Sequence, residues 1–261
     1  MADFSSVLIT GANSGLGAAL ARQLAGPAVT MHLFARQTER LAAIKAEIDD
    51  RSAAVWTTSL DLRDRAALTE AVLRADARAP VDLVIANAGI GGPRVVAGLA
   101  GEDPDAVDEL VTVSLGGAAN TVTPLLPLMV ERRRGAVVFV GSIAGVAGLP
   151  QSPMYSAVKA ALAVYGDALS SLLSGTGVSV MVAQPGFIDT PMGEELEIPR
   201  PGLMTAEQAA SIIIRQLKRG RRRVTFPMSL GAITRLVGLM PPATRKRVTA
   251  FAEALASTRK G

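Results

Sequence analysis

The sequence contains no cysteine and a single histidine, His32. Without cysteine there is no disulfide framework, no thiol nucleophile and no cysteine-rich zinc site, and one histidine cannot build a multi-histidine centre, so no metal site is expected. His32 sits in an apolar run, where it reads as a strand residue and not as a ligand. Aromatic residues make up only 3 % of the chain, which leaves basic side chains no stacking partners to interleave with. Nucleic acid is therefore not an expected partner. The net charge is also small, +4, although a pI near 9.8 leans basic and suits an anionic cofactor. The first residues lack the basic start and apolar core of a signal peptide, and no uninterrupted apolar run reaches membrane-spanning length. These absences fit a cytoplasmic location, where reduced conditions give cysteine no structural use.

What is present is a large apolar fraction, 49 % of 261 residues, enough to bury a sizeable core. Short apolar runs at 6–10, 29–35, 54–58, 81–86, 136–140, 178–183 and 224–226 read as strands. Helical patterns at 15–24, 39–48, 64–77, 105–131 and 156–173 separate the first six of them, with the β-branched residues of Val111 to Val113 weakening the longest. Strands that are apolar throughout and alternate with helices imply a parallel sheet covered on both faces. The expected fold is α/β, a doubly wound Rossmann-type three-layer arrangement with a mostly parallel sheet of about seven strands. No repeat or linker divides the chain, so one domain over 1–261 is expected, elaborated by a substrate loop at 187–204 and a C-terminal tail at 228–261. The basic run Arg219 to Arg223 reads as a solvated turn.

The first strand leads into Thr10-Gly11-Ala12-Asn13-Ser14-Gly15-Leu16-Gly17. Glycines let such a turn be tight and let its backbone approach a pyrophosphate, while the next helix aims its first amides at the anion. The spacing is G-x-x-x-G-x-G. Further motifs follow in order: Asp61-Leu62, Asn87-Ala88-Gly89, Ser142, Tyr155-Ser156-Ala157-Val158-Lys159, and Pro185-Gly186-Phe187-Ile188-Asp189-Thr190. Together they resemble the short-chain dehydrogenase/reductase family over residues 5–192, with no comparable match for the tail. The resemblance implies a dinucleotide held by Gly11, Asn13, Ser14, Gly15, Leu16 and Gly17 at the turn. It implies Asp61 and Leu62 at the adenine, Asn87, Ala88 and Gly89 as a structural turn, and Pro185, Gly186, Ile188 and Thr190 near the nicotinamide. An N-cap role for Asp61 and a scaffold role for Asn87 compete with direct binding.

Tyr155 and Lys159 are four residues apart and so share a helix face. A phenol with a pKa near ~10 is a poor base, but a lysine cation and a positively charged oxidised nicotinamide both favour phenolate. Tyr155 can then exchange a proton with an alcohol or carbonyl oxygen, and Ser142 at a strand end can hydrogen-bond the same oxygen, unless it serves only as a cap. The resemblance adds Lys159 as a ligand of the nicotinamide ribose. It also exposes a departure: an asparagine that the family uses in a proton relay is replaced here by Ser114, shorter but still able to donate and accept.

The second strand ends Leu33-Phe34-Ala35-Arg36-Gln37, with no acid for an adenosine ribose and with Arg36 placed for an extra phosphate. NADP(H) is therefore expected ahead of NAD(H), with a small alcohol or carbonyl as substrate. A dinucleotide-binding regulatory or redox-sensing module is the alternative, and a methyltransferase would have no use for Tyr-x-x-x-Lys. Small and apolar residues on the helices at 105–131 and 156–173 suggest a homodimer or homotetramer. In the tail, 228–240 is strongly apolar and 245–247 is basic, which leaves three readings. It packs on its own fold or a neighbouring subunit, it covers the substrate pocket, or it touches an anionic membrane surface.

Overall fold

The computed structural model describes residues 4–91, 101–194, 200–241 and 244. Strand β1 (Ser6–Thr10) is buried along its whole length and runs through the glycine turn into helix α1 (Gly15–Leu24). Strand β2 (Thr30–Ala35), α2 (Thr38–Ile48), β3 (Ala54–Ser59), α3 (Arg65–Arg78) and β4 (Leu83–Ala86) complete the first half. A continuous helical run follows as α4 (Pro104–Leu110), a π-helical turn (Val111–Gly116), α5 (Gly117–Val122), a short 3-10 turn, and α6 (Leu126–Glu131). The second half holds β5 (Gly135–Val140), α7 (Pro153–Leu172) and β6 (Val178–Pro185). Two-residue strands β7 (Ile188–Asp189) and β8 (Met204–Thr205) flank a short α8 (Pro191–Glu194). Helix α9 (Ala206–Lys218), β9 (Arg223–Phe226) and α10 (Met228–Leu239) close the described chain.

The main sheet has seven strands in the order β3-β2-β1-β4-β5-β6-β9, and every pairing in it is parallel. Crossovers that wind outward in two directions from β1 put helices on both faces. Leu20, Leu41 and Ile213 fill one apolar layer, and Leu68, Val122 and Leu162 fill the other. The strand order reverses between β1 and β4, and a crevice opens there beyond the carboxyl ends of the strands. The site lies in this crevice. Buried charge near the opposite end of the sheet is paired: the Asp82 carboxylate accepts from the amides of Ser5 and Ser6 and from Arg134.

Helix α9 is absent from the elements expected above, yet it carries a local signal. Thr205 accepts from the Gln208 amide while the Gln208 side chain accepts from the Thr205 amide, a capping box. The run Pro104–Glu131 is the one described helix long and apolar enough to cross a membrane by length and composition, with mean hydropathy 1.3. In this fold it packs against α3 and α7, burying Leu110, Val122, Leu125 and Met129. The π-helical turn falls where β-branched residues crowd the helix, a place where local widening relieves strain.

Candidate active site

Two glycines of the turn take left-handed backbone, Gly11 at φ +66° and Gly15 at φ +49°. Side chains have no room there. A Cβ on Gly17 would lie 2.0 Å from the Gly11 oxygen, and one on Gly15 would lie 2.8 Å from Thr190 Cγ2. The turn is thus pressed against its own helix and against the segment after β6. Asn87 holds the turn, its Nδ2 donating to the Thr10 oxygen at 3.0 Å and to the Gly11 oxygen at 3.2 Å. Thr10 Oγ1 in turn accepts from the amides of Asn87 and Ala88. Asn87 is therefore a scaffold residue that also reaches the cavity wall. Ser14, the residue before α1, offers no side-chain cap, and it lines the crevice together with Gly15, Leu16 and Gly17 of the first turn of the helix.

A cavity of about 1210 Å³ runs along the crevice. Its wall includes Gly11, Asn13, Ser14, Gly15, Leu16, Gly17, Arg36, Asp61, Leu62, Asn87, Ala88 and Gly89 on one side. Ser142, Tyr155, Lys159, Pro185, Gly186, Ile188 and Thr190 form the other. Ser114 is the one expected site residue that does not reach this wall. It is buried in the π-helical turn, where its hydroxyl accepts from the Ile90 amide at 3.2 Å. A Cβ built on Gly89 would lie 3.2 Å from Ser114 Oγ and 3.6 Å from Lys159 Nζ, so the two side chains converge on Gly89.

Asp61 does not cap α3. That role belongs to Asp64, which accepts from the Ala67 amide. The Asp61 carboxylate instead bonds Arg63 through the backbone amide and the guanidinium. The guanidinium bond is the largest influence holding the Asp61 pKa below the usual carboxylate range. Two residues beyond the expected set stand beside Arg36 on the wall. Gln37 accepts from Asn13 Nδ2 at 3.0 Å and ties β2 to the glycine turn, and Arg40 lies four residues after Arg36 in the first turn of α2. The Arg36-x-x-x-Arg40 spacing was the available signal for the second cation.

At the other end, Ser142 ends the segment after β5 and caps a 3-10 turn, its oxygen accepting from the Ala144 amide at 3.1 Å. Capping uses a lone pair and leaves the hydroxyl proton free to serve another acceptor. Burial pushes the Tyr155 phenol above its ordinary pKa, and the Ser142 side chain opposes that shift. The protein's own groups therefore favour the protonated phenol, which leaves room for the positive ring charge that the sequence reading joined to the lysine. Lys159 Nζ lies 5.5 Å from the centre of the Tyr155 ring and donates to the Val140 oxygen at 3.1 Å. Burial lowers its pKa to about 8, which leaves most of it cationic at neutral pH. Helix α10, from the tail, supplies Leu230, Ile233, Thr234 and Val237 to the same cavity.

Residues 5–200 match the family of short chain dehydrogenases. An oxidoreductase of Myxococcus xanthus is 36 % identical over 239 residues, covering 91 % of this chain and 93 % of that protein. The ketoacyl reductase HetN of Nostoc is 29 % identical, covering 93 % of this chain and 87 % of its own. Among solved structures, a short-chain dehydrogenase from Sphingobium yanoikuyae in complex with NADPH superposes with a TM-score of 0.78 at 25 % identity, covering 97 % of this chain and 95 % of that one. Levodione reductase superposes with a TM-score of 0.79 at 26 % identity, covering 89 % of this chain and 99 % of that one. Sequence and fold agree along most of the length, and this chain belongs to the short-chain dehydrogenase family as an oxidoreductase.

Proposed function

We propose that this oxidoreductase interconverts an alcohol and a carbonyl by hydride transfer, uses NADP(H) ahead of NAD(H), and has Tyr155 as its general acid/base. The observation that carries this reading is the cluster of Ser142, Tyr155 and Lys159 on the wall of the cavity that begins at the glycine turn. The cradle fits a dinucleotide: positive-φ glycines with no space for side chains lead into the N-terminus of α1, whose first amides would hold a pyrophosphate. A bound nicotinamide dinucleotide supplies or accepts the hydride and, in its oxidised form, adds a positive ring charge.

The side chains handle the proton. In the reductive direction the Tyr155 hydroxyl passes its proton to the carbonyl oxygen, and in the oxidative direction its phenolate takes the alcohol proton. The Ser142 hydroxyl orients that same oxygen. The Lys159 cation favours phenolate across the 5.5 Å to the ring, supported by its bond to Val140, and also holds the nicotinamide ribose. Ser114, converging with Lys159 on Gly89, takes the relay position and accepts the Ile90 amide in place of the longer family side chain.

Arg36 and Arg40 form a cationic pair at the adenosine end, and the end of β2 carries no acid. A 2′-phosphate there would gain charged hydrogen bonds. Fluorescence titration should give tighter binding of NADPH than NADH, and Arg36→Ala should weaken NADPH by about ten- to a hundredfold while changing NADH little. Equal losses for both cofactors would remove Arg36 from this role. The same reading places the protein in a homo-oligomer and in the cytoplasm, the first through the exposed face of α7.

A further inference from the structure

The substrate end of the cavity is built differently from the cofactor end. Apart from Tyr155 and Lys159, the ionisable side chains on the described wall are Arg36 and Asp61, which follow β2 and β3, and Arg40 in the first turn of α2. The wall that also holds Tyr155 includes Leu149, Phe187 and Met192 and, from α10, Leu230, Ile233 and Val237, with Gln151 and Ser152 as uncharged polar members. The Thr234 hydroxyl on this wall donates to the Leu230 oxygen within its own helix, so its proton is already used.

Helix α10 is seated closely enough to act as a fixed wall. A Cβ on Gly231 would lie 2.6 Å from Thr225 Cγ2, and one on Gly238 would lie 2.9 Å from the Val146 oxygen. These contacts join the helix to β9 and to the turn that follows Ser142. A carboxylate or phosphate carried along α10 would give up hydration with no cation among the described residues of that helix wall to pair with, whereas methylene groups gain by leaving water.

We infer that the substrate is an uncharged ketone or secondary alcohol whose apolar body lies against α10. The inference rests on the alcohol/carbonyl reading and deepens it. The reacting oxygen meets Tyr155 and Ser142, and the hydrocarbon chain extends along Leu230, Ile233 and Val237. Selection for chain length and against charge then resides in the tail of the sequence and not in the family motifs.

The test measures NADPH oxidation with methyl propyl ketone, methyl nonyl ketone, levulinate, and methyl nonyl ketone bearing a terminal carboxylate. The neutral series should gain about fourfold in kcat/KM per added methylene until the wall is filled. Each carboxylate should be turned over about a hundredfold less well than its neutral partner. Ile233→Lys, at a position 59 % exposed and so tolerant of a charge, should narrow the gap between the long ketone and its carboxylate by tenfold or more. A thermal melt of this variant separates lost selectivity from lost fold. Equal or better turnover of the carboxylates by the unaltered enzyme, with NADPH still oxidised, overturns the inference and leaves the alcohol/carbonyl reading standing. No NADPH oxidation with any of the four overturns both.

Discussion

His32 shows how one residue can oppose the fold that contains it. It is fully buried in β2 between Leu8 and Trp56 on the neighbouring strands, and neither ring nitrogen has a partner among the described residues. Burial is the largest influence lowering its pKa from 6.5 to about 4, with Arg78 adding to the shift and Asp76 opposing it. Between those values the unfolded chain binds a proton that the folded chain refuses. Stability therefore rises with pH across that window and is lost as pH falls through it, by on the order of 3 kcal/mol. Below the folded pKa both states carry the proton and the loss stops growing. His32→Leu removes two unpaired nitrogens and should stabilise the protein by about 1–3 kcal/mol, with a flatter acid limb. Urea unfolding of both proteins at about pH 5 and about pH 7 checks this, and an unchanged acid limb would place the sensitivity elsewhere. Because His32 is the only histidine, the effect has a single source.

Among the elements, those with strong local patterning were legible in sequence, and those depending on distant contacts were not. The apolar run 6–10 and the glycine-led helix 15–24 coincide with β1 and α1. The β-branched stretch that weakened the long helix marks its π-helical turn. Ser142, Tyr155 and Lys159 stand out in sequence because their residue types and order carry chemistry, and the fold brings them to one cavity wall, whereas Arg40 was missed because an arginine on a helix reads as solvated. Helix α9 went unread although its capping box and its spacing of Ala209, Ile213 and Leu217 are helical. The contribution of α10 to the cavity depends on close contacts with β9 and with the turn after Ser142, and no local pattern reveals those. Helix α7 carries a comparable contact at its centre. A Cβ on Gly166 would lie 2.4 Å from Val182 Cγ2 and 3.3 Å from Phe139 Cδ2. Gly166→Ala should push the helix away from β5 and β6 and destabilise by about 1–3 kcal/mol, overcoming alanine's better helix propensity. A denaturant titration that finds the variant as stable as the parent would mean that the neighbours yield freely.

For the whole molecule, the site exists only because the sheet brings together the ends of strands far apart in sequence. The proposed cofactor cradle comes from the ends of β1 and β4, the proposed proton donor from α7, and the apolar wall from α10, more than fifty residues after α7 ends. Outside the cavity, α7 presents Ala157, Ala161, Val164, Ala168 and Leu172 at helical spacing, with Val164 69 % and Leu172 74 % exposed. Such a stripe lets a second helix approach closely and leaves apolar surface for it to cover. Light scattering should give a dimer or tetramer at micromolar concentration, and Val164→Asp should shift it toward monomer. A parent protein that is monomeric throughout contradicts this assembly. The tail past residue 241 lies outside the described residues except for Thr244, so the membrane-contact reading of its basic stretch concerns residues not described.

The central claim is that the Tyr155 hydroxyl moves the proton while the rest of the cavity holds cofactor and substrate. Tyr155→Phe keeps the ring beside Lys159 and removes only that hydroxyl. The measurement is kcat for NADPH-dependent reduction of a neutral ketone, taken with the NADPH dissociation constant of the same preparation. The account predicts a fall in kcat of about a hundred- to ten-thousand-fold with cofactor affinity nearly unchanged. A phenylalanine variant that turns over at the parental rate would contradict it.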